Sequence, residues 1–154
     1  MEKDKVLPYL QDLCAKREYC RSEILKKAVT ALEGDKSAAQ EILSSLVEDR
    51  FVDDARYAAA FARERSSLTG WGPEKIRYSL MMKGISKADI ADALEQVDPD
   101  AAEKKLMKLL STKCHSLQGD AFIKFKLIKY ALSRGYRYEE VAPAVDRILA
   151  ELEQ

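Results

Sequence analysis

Apolar residues recur along this chain at intervals of three and four, not two. Ile24, Leu25, Ala28 and Val29 share one helical face, as do Ile42, Leu43, Leu46 and Val47, and then Tyr57, Ala58, Phe61 and Ala62. Such spacing marks amphipathic helices that lay one stripe on a core. No run alternates apolar and polar residues for long, and six glycines and four prolines leave few breaks. The pattern predicts an all-α fold.

Helix ends are written into the same pattern. In "GWGPEKIRYSLMMKGIS", residues 70–86, Gly72 is suited to the N-cap and Pro73 to the first helical position, where a missing N–H costs nothing. Glu74 then lies in the first turn, where the helix dipole favours a negative charge. Trp71 and Ile76 have the spacing of a hydrophobic staple. At the other end Gly84 can take the left-handed conformation, with Ile85 folding back onto Leu80. Ser86 and Asp89 form a capping box for a following helix, with Ile85 and Ile90 as its staple. Asp53 in "VDDARYA" and Asp98 in "VDPDAAE" are further N-caps. Capping, rather than catalysis, is the role read for Asp53 and Asp54.

This corner recurs. "LMMKGISKADIADAL", ending at Leu94, parallels "ALSRGYRYEEVAPAV", ending at Val145, at a constant offset of 51 residues. Gly84 falls on Gly135, Ile85 on Tyr136 and Ile90 on Val141. A fainter copy, "EILKKAVTALEGDKSAAQEILSSL", turns around Gly34 and Asp35. The repeat is about 50 residues, or three helices, long. It divides the chain into units 1–52, 53–97 and 98–154. Three such units stacked in line predict an elongated, curved rod.

Composition is that of a folded protein, 47% hydrophobic and 34% charged over 154 residues. Lys plus Arg equals Asp plus Glu at 26 each, so bulk charge selects no partner. Its distribution does. From Lys104 to Arg137, Lys104, Lys105, Lys108, Lys113, Lys124, Lys126, Lys129, Arg134 and Arg137 face one acid, Asp120. From Arg56 to Lys83, the cations Arg56, Arg63, Arg65, Lys75, Arg77 and Lys83 outnumber Glu64 and Glu74. Acids gather elsewhere, in the stretches 41–54 and 89–100. Lysine and arginine faces of this kind suit phosphate contacts that are independent of base sequence and weaken with salt.

Other chemistry is not supported. Three cysteines (Cys14, Cys20, Cys114) and the single His115 lack the paired short spacings of a zinc site. No phosphate-binding glycine loop is present, and one histidine with scattered serines assembles no nucleophile and base. The reading is a non-enzyme without metal or cofactor. With unpaired cysteines, no apolar leader and no membrane-length apolar run, a soluble, cytoplasmic, monomeric protein is expected. Trp71, Tyr57, Tyr78, Tyr130, Tyr136 and Tyr138 could stack on bases, but aromatics at helical spacing are read here as packing.

Residues 51–65, "FVDDARYAAAFARER", then "GWGPEKIRYSLMMKGIS" and "IADAL", resemble the central signature of the RecX family, regulators of the bacterial recombinase RecA. The stretch from Arg17 to Lys27 resembles that family's first repeat and "LSRGYRYEEV" its third. The first repeat departs from the pattern in reading "ALEGD", with its glycine shifted by one, and Arg50 stands where a small residue is common. The resemblance implies three tandem three-helix repeats that lie lengthwise in the groove of the RecA–single-stranded DNA filament. It implies inhibition of recombination, ATP hydrolysis and the co-protease function of the SOS response in DNA repair. Candidate contacts to RecA or DNA are Arg17, Arg21, Lys27, Arg56, Arg63, Arg65, Lys75, Arg77, Lys83, Lys124, Lys126, Lys129 and Arg134, with Arg77 foremost because its guanidinium suits bidentate recognition. A stand-alone single-stranded nucleic-acid binder and a helical scaffold for another protein remain as alternatives.

Overall fold

A computed structural model describes residues 1–153 of the chain. Those residues form nine α-helices and no strand: α1 Lys3–Lys16, α2 Arg21–Ala31, α3 Lys36–Glu48, α4 Asp54–Glu64, α5 Pro73–Met82, α6 Lys87–Glu95, α7 Pro99–Ser116, α8 Ile123–Ser133 and α9 Tyr138–Leu152. The helical periodicity is therefore realised throughout. One feature lies outside it. α4 runs on into a π-helical turn, Arg65–Thr69, closed by Gly70 in the left-handed conformation at φ 74°.

The chain condenses into two compact units. The first comprises Met1–Ala60 with Leu80–Ala93, and the second Phe61–Ser79 with the chain from Leu94 onward. In the first, Val6 and Leu10 of α1, Ile24 and Ala28 of α2, Ala39, Leu43 and Leu46 of α3, and Val52 form one buried cluster. In the second, Leu106, Leu110 and Cys114 of α7 meet Leu127 and Ala131 of α8 and Val141, Val145 and Ile148 of α9. Each fully buried Val, Leu or Ile side chain contributes about 1.5–3 kcal/mol relative to exposure, and these stripes hold the helices together.

Capping follows the sequence closely. Ala38 N–H donates to Asp35, Arg56 N–H to Asp53, Asp89 N–H to Ser86 Oγ and Asp100 N–H to Asp98, at 3.0–3.1 Å. After α5, Gly84 N–H donates to the Met81 carbonyl at 3.0 Å and Ile85 N–H to the Leu80 carbonyl at 3.1 Å, the paired bonds of a Schellman corner. After α8, Gly135 and Tyr136 repeat it, bonding Leu132 at 3.0 Å and Ala131 at 3.2 Å.

The first repeat builds the same corner with the wrong residue in its left-handed seat. Glu33 occupies that seat at φ 55° and Gly34 follows, its N–H reaching the Val29 carbonyl at 2.9 Å. The shifted glycine of "ALEGD" is thus accommodated by a strained glutamate. Arg50 closes α3 in the same way at φ 62°, with Phe51 N–H on the Leu46 carbonyl at 2.9 Å. A left-handed L-residue costs about 1–2 kcal/mol, partly offset against the greater freedom glycine loses on folding. Glu33→Gly and Arg50→Gly should each raise stability by about 0.5–1 kcal/mol. Urea midpoints measure this, and a midpoint unchanged or lowered in both variants would contradict it.

Candidate functional site

Four of the candidate cations come together where the start of α5 meets the corner after α8. The first N–H groups of any helix have no partner within it. At α5 two of them are satisfied by backbone. Gly72 N–H donates to the Arg134 carbonyl at 2.7 Å and Glu74 N–H to the Gly135 carbonyl at 2.9 Å. Such contact requires that neither glycine carry a side chain. A Cβ on Gly72 would lie 2.4 Å from the Gly135 carbonyl, and one on Gly135 would lie 2.3 Å from Lys75 Cβ and 2.6 Å from Lys75 N. Gly72 is therefore both the N-cap foreseen and half of an interlock that was not.

Side chains around this joint are organised by Glu74 and Trp71. Glu74 takes Arg77 on both oxygens at 2.7 Å and Arg137 on one at 2.8 Å. These hydrogen bonds, that from Arg137 first, hold the Glu74 carboxyl below the usual glutamate range. The Trp71 ring meets Phe61 edge-on at 6.1 Å and carries Arg65 at 5.0 Å and Lys75 at 4.6 Å. Arg134 donates to the Thr69 carbonyl. Arg65, Lys75, Arg77 and Arg134 thus lie on one joint with Arg137, a cation the sequence reading placed in the basic run but not among the site residues. Beside it is a cleft of about 660 Å³ whose lining includes Trp71, Arg77, Met107, Tyr136 and Arg137.

A related joint exists in the first unit, at the start of α2. Ser22 Oγ donates to the Lys83 carbonyl at 2.7 Å, and Lys83 Nζ stands 3.5 Å from Glu23 and 5.9 Å from the Tyr57 ring centre. Burial opposes ionisation of Glu23, but hydrogen bonds from Cys20 and the Lys83 charge outweigh it, and the carboxyl titrates below its ordinary value. Arg17 lies 4.2 Å over the Tyr19 ring and 3.8 Å from Glu23, with Lys27 on the same ring at 5.5 Å. Arg21 contributes its backbone N–H to Asp54 at 2.8 Å. Arg56 pairs with Glu18 and also donates to the Arg50 carbonyl at 3.1 Å.

On α8, Lys124 reaches Asp146 at 3.2 Å and Lys126 is paired with Asp120. Arg63 and Lys129 are exposed and have no carboxylate partner among the described residues. Six of the thirteen candidates, Arg17, Arg56, Arg77, Lys83, Lys124 and Lys126, are thus already balanced by a nearby carboxylate. Charge balance between residues far apart in sequence, such as Glu74 with Arg137, is invisible in a one-dimensional count.

The packing role read for the aromatics holds for some and not for others. Tyr57 and Tyr136 are buried and Tyr130 is half-buried beneath Lys113. Tyr78 and Tyr138, by contrast, are each 59% exposed, because they fall on the outer faces of α5 and α9. Phe122 and Phe125, which periodicity alone did not single out, are exposed as well. Cys20 and Cys114 are buried and Cys14 half-buried, and burial pushes the Cys14 and Cys20 thiols up, away from reactive thiolate. Among the described residues no group of three or more His, Cys, Asp or Glu could hold a metal ion. Nor is any helix among them long and apolar enough to cross a membrane.

Comparison with known proteins supplies the family. The model of the second three-helix domain of RecX matches residues 53–94, which hold α4, the π-turn, α5 and nearly all of α6. The regulatory protein RecX of Pectobacterium atrosepticum is 30% identical over 153 residues, covering 90% of this chain and 94% of the relative. That of Clostridium tetani is 33% identical over 119 residues, covering 75% of this chain and 54% of the relative. The chain thus spans about half the length of its Clostridium relatives. A crystal structure of RecX from Lactobacillus salivarius superposes with a TM-score of 0.77 at 22% identity, covering 98% of this chain and 96% of that one. A second crystal structure of regulatory protein RecX gives 0.78 at 24% identity, covering 96% and 71%. At those identities the structures establish the all-helical fold, and the near full-length Pectobacterium match establishes the kinship. The chain belongs to the RecX family of regulatory proteins.

Proposed function

We propose that this protein is a non-enzymatic regulator that binds the RecA–single-stranded DNA filament and restrains its ATPase, recombinase and co-protease activities. The observation that carries the reading, given the family, is the segregation of charge in a chain of zero net charge, with nine cations against one acid between Lys104 and Arg137. A filament groove offers both phosphate and protein side chains, and alternating basic and acidic segments complement both. Successive three-helix units, divided at 1–52, 53–97 and 98–154, would contact successive RecA protomers and oppose their turnover. No cofactor enters this mechanism.

The test is single-stranded-DNA-dependent ATP hydrolysis by RecA of the same organism, with the protein added well below equimolar amounts. Inhibition at such ratios is expected, and it should weaken as salt rises, because phosphate contacts release counterions. Charge reversal should weaken it too. Arg63→Glu with Lys129→Glu, which break no ion pair, should raise the half-inhibiting concentration about tenfold, the effect of ~1.4 kcal/mol. Lys75→Glu with Arg77→Glu probes the α5 joint in the same assay. Absence of inhibition at any ratio would remove RecA from the reading. Tight, salt-sensitive DNA binding without RecA would then favour a nucleic-acid binder, and its absence a protein scaffold.

A further inference from the structure

The outer face of α8 is not spent on the fold. Leu127 and Ala131 point into the core, with Ile123, Ile128 and Tyr130 half-buried beside them. At 3.6 residues per turn the opposite face carries Phe122 at the helix start, then Phe125, Lys126, Lys129 and Leu132. Phe122 is 69% exposed and Phe125 66%. Leaving a phenylalanine in water forgoes roughly 1.5–3 kcal/mol of burial, so two on adjacent turns call for a reason outside the folded chain.

Charge on this face narrows the choice. Each ring has a lysine four residues on, Lys126 after Phe122 and Lys129 after Phe125. The Lys129 ammonium lacks a carboxylate among the described residues, while Lys126 meets Asp120, the single acid of the whole segment from Lys104 to Arg137. An apolar protein groove would be served by an unbroken aliphatic stripe. Aromatic rings interleaved with cations instead match single-stranded nucleic acid, whose bases stack on rings while its phosphates lie against lysines.

We propose that Phe122 and Phe125 on α8 form a base-stacking platform for single-stranded DNA, with Lys126 and Lys129 holding the phosphates. This deepens the filament reading above and rests on it for the source of the DNA. Stacking is indifferent to base identity, which suits a regulator that must act wherever a filament forms. Trp71, by contrast, is engaged by Phe61, Arg65 and Lys75, in keeping with the packing role read for it.

The experiment measures binding of a fluorescein-labelled thymidine oligonucleotide by anisotropy without RecA, alongside quenching of a 2-aminopurine reporter in the same oligonucleotide. Phe122→Ala and Phe125→Ala should each weaken binding about 5- to 150-fold and abolish most of the quench, at an unchanged salt slope. Phe125→Tyr should retain both. Lys129→Glu should flatten the salt slope and leave the quench at saturation intact. Both rings are exposed, so the alanine variants should melt with the parent, and circular dichroism checks this. Alanine variants with parental oligonucleotide affinity and quench would overturn the platform. If those same variants lost RecA inhibition, the face would belong to a protein contact instead. Failure of the parent protein to bind the oligonucleotide overturns the platform too, whereas failure of the filament reading is registered separately, as absent inhibition of the RecA ATPase.

Discussion

Alanine at Gly135 is expected to destabilise the second unit by about 2–5 kcal/mol, through two costs that add. The first is conformational. Gly135 lies at φ 94°, where an L-residue costs about 1–2 kcal/mol. The second is steric, since the new methyl would meet Lys75 backbone nitrogen at 2.6 Å and its Cβ at 2.3 Å. Overpacking of a tight contact costs about 1–3 kcal/mol, and here relief requires pulling α5 away from hydrogen bonds of 2.7 and 2.9 Å. Gly84 is the internal control. It occupies the equivalent seat at φ 79° with nothing within 4 Å of an added Cβ. Gly84→Ala should therefore cost only the conformational part. Gly72→Ala should show the steric part, at 2.4 Å from the Gly135 carbonyl, without left-handed strain. Denaturant midpoints of the three variants measure the separation. Equal losses at Gly135 and Gly84 would mean that the interlock contributes nothing.

That contrast shows where sequence reading succeeds and where it stops. Helix boundaries were legible because their signals are local: Asp53, Asp98 and Ser86 cap helices that begin one residue later, and Gly84 closes a turn with carbonyls a few residues behind it. The 51-residue offset correctly pairs Gly84 with Gly135 as corner residues. It cannot show that only Gly135 has another backbone pressed against it, because the partner, Lys75, is 60 residues away and is specified by packing. The same limit governs the basic residues. Arg77 attracts notice by its motif, yet its guanidinium is taken by Glu74, while Arg63 and Lys129 have no carboxylate partner among the described residues, which no motif reveals. Exposure of Phe122 and Phe125 was hidden for a different reason. They sit in a helix with ample apolar residues, and only the fold decides which of those residues form its stripe.

Raising the pH through 10 to 12 is expected to remove about 2–3 kcal/mol of stability through one buried phenol, that of Tyr136. Tyr136 packs with Val141 and Val145 in the second core, and its hydroxyl finds no hydrogen-bond partner among the described residues. Burial disfavours the phenolate and pushes the pKa up to about 12, with the Arg134 charge opposing the shift and Glu140 and Tyr130 adding to it. Below pH 10 the phenol is neutral whether the chain is folded or not, and the stability it contributes is fully present. Between pH 10 and 12 the unfolded chain releases its proton while the folded protein retains it, so stability falls across that window. Lysines and other tyrosines titrate there too, and Tyr136→Phe isolates the effect. The variant should lack that share of the alkaline loss. At neutral pH it should be about 1 kcal/mol more stable than the parent, since it removes a desolvated hydroxyl that nothing compensates. Urea unfolding of both proteins from pH 8 to 12 gives the two curves. A constant gap between them would show that the phenol ionises as readily in the folded protein as in the unfolded chain, and that the Tyr136 pocket is open to water.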